Sequence, residues 1–190
     1  DREIEMHVTL FDSTLPGRSE RGRMGSNGWD AIALGLTVLL AIALRVVGLT
    51  RESLWSDELY AVMLSYRPTF AEALLEMLGD SHPPGYASFM YWYLQLAGRT
   101  DLAVRLPSLL AGIAWVPLVY WIGTRWISRR AGLLASVMIA SAFAGIQYSQ
   151  EARPYTLYVA ACLANLASGL ETLRRGRLAG FTAIAFCLSG

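Results

Sequence analysis

The stretch Trp29–Leu49, WDAIALGLTVLLAIALRVVGL, carries two charges, Asp30 and Arg45, one near each end. At about 1.5 Å per residue it reaches across the roughly 30 Å hydrocarbon core of a bilayer. It therefore predicts a membrane-spanning helix. Further apolar runs follow at 104–127, 131–148 and 154–173, and another begins at 178 and continues to 190. Repeated spans of this kind predict an all-α fold, a polytopic transmembrane helical bundle. The last run covers only half a bilayer and would leave backbone groups unsatisfied in lipid. The sequence is therefore expected to be the N-terminal part of a longer protein.

The composition agrees. Apolar residues make up 54% of the 190 and charged residues only 16%, against about a quarter in an average soluble domain. A net charge of +1 gives no footprint for nucleic acid. Every basic residue other than histidine is Arg, the side chain that holds phosphate in a planar fork. Cys162 and Cys187 lie in apolar stretches without disulfide or metal spacing and read as packing residues. Residues 1–28 are polar and mixed in charge, which predicts a flexible tail and not a signal peptide.

Orientation follows from the arginines. Arg18, Arg21 and Arg23 place the N-terminus in the cytoplasm, and the Arg129-Arg130 and Arg174-Arg175 turns agree with four spans. An outer loop at 50–103 and the turn Ser149–Arg153 then share the extracytoplasmic face. Within that loop, Pro84–Ala97 is apolar but short for a span, so it is expected to lie at the interface or against the bundle. A helix over Thr69–Leu78 puts Phe70, Leu74, Met77 and Leu78 on one face and Glu72 and Glu76 on another, and is expected to lie along the membrane surface. Another starts near Asp57. Arg45 reads either as snorkelling to the interface or as an anion contact.

Three polar groups converge on the outer face: Asp57-Glu58, Asp80-Ser81-His82-Pro83-Pro84, and Gln150-Glu151-Ala152-Arg153. Asp57 or Glu58 can accept a proton from an attacking hydroxyl; equally, Ser56 or Asp57 can cap the helix that follows. His82 can donate to a phosphate. Arg153 can pair with Glu151 or bind a lipid phosphate. Glu151 offers the oxygen donors that a divalent cation takes. Tyr148, Tyr155 and Tyr158 flank this group. There is no glycine-rich phosphate loop, no GxSxG and no HExxH.

Four motifs stand in order: Leu54-Trp55-Ser56-Asp57-Glu58, His82-Pro83-Pro84-Gly85-Tyr86, Arg105-Leu106-Pro107-Ser108 and Ser149-Gln150-Glu151-Ala152-Arg153-Pro154-Tyr155. In this order the chain resembles the N-terminal part of bacterial GT-C-type membrane glycosyltransferases, with the protein O-mannosyltransferases and aminoarabinose transferases as relatives. The resemblance implies an inverting enzyme of the bacterial cytoplasmic membrane that takes a sugar from a polyprenyl-phosphate donor. The acceptor would be a protein or glycan hydroxyl. It implies Asp57 as catalytic base with Glu58 beside it, His82, Arg153 and Tyr155 at the donor phosphate, and Glu151 as candidate metal ligand, with no other cofactor. The competing reading is a non-catalytic membrane scaffold or lipid-handling subunit of the same fold. A permease would favour polar or broken helices at midplane. This piece alone is expected to be inactive.

Overall fold

The structure, a computed structural model, describes residues 28–51, 53–80 and 83–175. The chain divides into two units, 1–31 and 32–190. All side-chain contacts reported below lie within the second. Among the described residues there are eight helices and no strand: α1 (Gly28–Val46), α2 (Ser56–Leu64), α3 (Phe70–Leu78), α4 (Pro84–Ala97), α5 (Asp101–Trp126), α6 (Arg129–Ser141), α7 (Phe143–Ser149) and α8 (Tyr155–Arg175).

Among the described residues, two helices are long and apolar enough to cross a membrane, α1 and α5, and α6 with α7 makes a third if the bent pair is one span. Segment 154–173 falls on α8 from Tyr155 onward, and the 21 residues of that helix are less apolar. Residues 1–27 and 178–190, with the expected tail and last span, lie outside the described residues. Much of α1 faces outward with large apolar side chains, Leu36 and Leu39 among them, as a lipid-facing span requires.

Central to the bundle is α5, which packs against α6, α7 and α8. Its contact with α6 is close because glycines meet there. A Cβ on Gly123 would stand 2.6 Å from the Gly132 Cα, so only small residues permit the crossing. Thr100 and Ser128 begin α5 and α6 by accepting the amides of Ala103 and Ala131.

The segment 131–148, expected as a span, is not one continuous helix: α6 and α7 are bent by 58° from one another. No proline or glycine stands at the break, where the connecting residue is Ala142. A broken helix leaves its last carbonyls without partners. Arg45 supplies them. It is fully buried and donates to the carbonyls of Ala140 at 2.8 Å and Ile139 at 3.2 Å, and to the Ser149 hydroxyl at 3.2 Å. Arg45 therefore neither snorkels nor faces an anion; its donors are spent on the break. In return, Gln150 Nε2 donates to the carbonyls of Arg45 and Val47 at the end of α1.

The loop between α1 and α5 folds as a small helical layer of α2, α3 and α4. Thr69 caps α3 by accepting the Glu72 amide, and Pro84 opens α4, whose first turn needs no N–H. One core cluster joins Ala61, Val62, Met90, Leu94, Val104 and Ala152; a second joins Leu64, Ala73, Met77 and Tyr91. Met90 and Leu94 thus place the 14-residue α4 against its neighbours. Its Trp92 is exposed, as is Leu78 of α3.

Candidate active site

The N-terminus of α2 sets the geometry of the acidic pair. Trp55 is the N-cap residue, so Asp57 and Glu58 fall at the second and third helical positions. Neither Ser56 nor Asp57 is the cap. At the third position Glu58 reaches back to accept the Trp55 amide at 3.0 Å, half of a capping box. One turn of helix then points the two acids in different directions.

Glu58 is fully buried. Its Oε1 accepts from Arg105 Nε at 3.0 Å and from the Ala152 amide at 2.6 Å. Its Oε2 accepts from Arg105 Nη2 at 2.8 Å and from Trp55. Burial alone would raise its pKa, but the Arg105 guanidinium and the two amides outweigh it and hold the carboxyl below its ordinary value. Arg105 in turn donates to the carbonyls of Leu49 and Ser53. One buried ion pair therefore ties the end of α1, the start of α2, the body of α5 and the turn before α8.

Asp57 is open. Its side chain is 61% exposed and accepts from Arg153 Nη2 at 2.5 Å. Arg153 also faces Glu151 at 3.6 Å, and its guanidinium lies 5.9 Å from the Tyr155 ring centre. The Ser108 hydroxyl donates to the Arg153 carbonyl at 3.0 Å. Four backbone or side-chain ties, through Ala152, Arg153, Gln150 and Ser149, thus hold the turn that presents this arginine.

Asp57 and Arg153 line a cavity of about 500 Å³, within the usual range for small-molecule sites. Ser56, Tyr60, Tyr86, Asp80, Tyr155 and Tyr158 share its wall with Pro83, Pro84 and the apolar surfaces of Ala61, Met77, Ala87, Ala152 and Pro154. The three polar groups singled out in the sequence therefore meet here, except that Ser81 and His82 lie outside the described residues. Glu58 is not in the wall, and neither is Glu151. Glu151 accepts from Gln147 at 3.3 Å and faces Arg153. Among the described residues, no group of three or more His, Cys, Asp or Glu stands together as a metal site.

Two features escaped sequence reasoning. Arg105 was visible as a charge within an apolar run, the usual signal of an intramembrane partner, but nothing local pointed to Glu58, 47 positions away. Tyr60 carries no signal in the sequence, and Tyr86 stands in the His82–Tyr86 motif without a role of its own.

A protein family described as dolichyl-phosphate-mannose-protein mannosyltransferase matches residues 81–190, more than half of the chain. The matched segment includes Arg105, Glu151, Arg153 and Tyr155 and begins after Asp57 and Glu58. No curated protein and no solved structure matches the chain.

Proposed function

We propose that this chain, which belongs to the dolichyl-phosphate-mannose-protein mannosyltransferase family of GT-C-type membrane glycosyltransferases, moves a sugar from a polyprenyl-phosphate donor to an acceptor hydroxyl on the extracytoplasmic face. The observation that carries this reading is the Asp57–Arg153 pair within the cavity. It sets a proton acceptor beside a cation suited to phosphate. The arginine distribution supports the orientation by the positive-inside rule.

The pair also supplies a sequence of events. Partly exposed ion pairs contribute roughly 0–1 kcal/mol, so a donor phosphate can take Arg153 from Asp57 at little cost. A phosphate suits the guanidinium fork better than one carboxylate oxygen does. Asp57 is then free to accept the proton of the acceptor hydroxyl. The hydroxyl oxygen forms a bond to the anomeric carbon as the bond from that carbon to the phosphate oxygen breaks. The polyprenyl phosphate leaves with the electron pair, held by Arg153, and the proton stays on Asp57. One in-line displacement inverts the anomeric centre, the geometry used by inverting glycosidases. Fixed cationic help at the leaving group is often the largest catalytic contribution.

In this reading Glu58 is a positioning residue. Its oxygens are committed to Arg105 and two amides, and it acts by holding the turn that carries Arg153. The test is transfer from a polyprenyl-phosphate sugar by the full-length protein and by Asp57→Asn. Turnover should fall by about 10²-fold or more, with stability within about 1 kcal/mol of the parent. Unimpaired turnover in a folded Asp57→Asn protein would sink the base assignment.

A further inference from the structure

We infer that Tyr60 and Tyr86 form a sugar-reading subsite, their phenols held without partners until the hydroxyls of the donor sugar arrive. The inference rests on the transferase reading above and adds which residues sense the sugar as opposed to the phosphate.

Buried hydroxyls are nearly always hydrogen-bonded, and each exception asks for a reason. Several buried polar side-chain atoms lack partners among the described residues, and the hydroxyls of Tyr60 and Tyr86 are the two that belong to the cavity wall. They come from different helices, α2 and α4, which pack against each other. Their rings are anchored in different clusters: Tyr86 against Ala61, Met90 and Val104, Tyr60 against Leu64 and Met77. The rings are therefore fixed while the hydroxyls are unspent.

Burial pushes the Tyr86 phenol up. The Ser108 hydroxyl is close enough to temper that shift, but it is outside hydrogen-bond geometry with Tyr86, and its own proton goes to the Arg153 carbonyl. Burial likewise raises the Tyr60 phenol, with the carboxylates of Asp80 and Glu76 adding to it. Both groups thus stay protonated and can donate as well as accept. A ligand that offers several hydroxyls, each donor and acceptor, matches two such groups. A bare phosphate does not need them, because Arg153 serves it. The apolar Met77 and Ala87 in the same wall suit the C–H surface of a pyranose.

An unpartnered buried hydroxyl costs the free protein its desolvation. Tyr60→Phe and Tyr86→Phe should therefore leave ligand-free stability unchanged or raise it, while weakening recognition of sugar. The experiment measures binding of a panel of polyprenyl-phosphate hexoses, mannose included, and of sugar-free polyprenyl phosphate. Full-length parent and variant proteins are compared by ligand-induced shifts of Tm, with turnover measured separately. The parent should bind at least one glycosylated lipid more tightly than the bare lipid. Each variant should lose roughly 3–10-fold of that preference and bind the bare lipid as before. The inference is overturned if the parent shows no preference, if the preference survives both substitutions, or if either variant is destabilised without ligand, which would make the phenols structural. If the parent prefers the sugar yet shows no transfer, the transferase reading fails and the subsite stands.

Discussion

Replacing Glu58 by Gln tests whether the buried acid holds the site together. Gln keeps the shape of Glu but turns one acceptor oxygen into a donor amide. Each Glu58 oxygen receives two N–H groups, Arg105 Nε and Ala152 N at one, Arg105 Nη2 and Trp55 N at the other. Whichever way the Gln side chain turns, its NH₂ faces two donors, so two hydrogen bonds are lost. The Arg105 guanidinium, whose side chain is 4% exposed, is left without its counter-charge. Breaking a buried pair from one side costs about 3–5 kcal/mol. Denaturant unfolding of the full-length protein in detergent should show a loss of that size, and Glu58→Leu with Arg105→Met should recover a large part of it. The acid limb should change as well. The folded carboxyl titrates below its unfolded value of about 4.3. Its contribution is therefore complete above that pH and is lost as pH falls through the lower folded value. The parent should lose stability below about pH 4.3, and Glu58→Gln should show a shallower acid slope. A variant within about 1 kcal/mol of the parent, with the same acid slope, would refute the clamp.

Two further outcomes bear on the turn and the break in α6–α7. Arg153→Ala should raise the Kd for sugar-free polyprenyl phosphate by roughly tenfold or more, since hydrogen bonds to charged groups contribute about 1.5–3 kcal/mol; an unchanged Kd by thermal shift removes Arg153 from the phosphate. Gly112→Ala puts a methyl group against Ser149, 2.9 Å from its Cβ, and should cost about 1–3 kcal/mol as overpacking. The added methyl meets the Ser149 Oγ first and its Cβ next, so adding Ser149→Ala removes the nearer clash and should give only partial rescue; full rescue would show that the slot is looser than described.

Elements whose cause is local were readable in the sequence. Pro84 fixes the start of α4, and Gly98, with φ at +81°, ends it; the helix fills 84–97 as expected. Thr69 announces α3 in the same way. The break at Ala142 was not readable, because the sequence there has no breaker. Its carbonyls are satisfied by Arg45, about a hundred positions earlier. The separation of Asp57 from Glu58 was half readable. Adjacent helical residues diverge in direction, so the two acids could not share one role, but which of them faced the cavity depended on Arg105 and on the Ala152 amide.

Three arginines of the described bundle, Arg45, Arg105 and Arg153, differ in what holds them. Arg45 and Arg105 are the most buried, and burial of a charge near a membrane invites a functional reading. Their hydrogen bonds argue the other way. Arg45 is spent on Ala41, Ile139, Ala140 and Ser149, and Arg105 on Glu58, Leu49 and Ser53. A ligand could take neither without leaving several buried groups unpaired, each at a cost of about 1–3 kcal/mol. Arg153 is held by its backbone, through Ser108, while its guanidinium meets the half-open carboxylate of Asp57 and, further off, Glu151. Exchanging Asp57 for a phosphate strands nothing in the interior. A guanidinium whose main chain is anchored and whose side-chain partners are replaceable is what the role proposed for Arg153 at the donor phosphate requires.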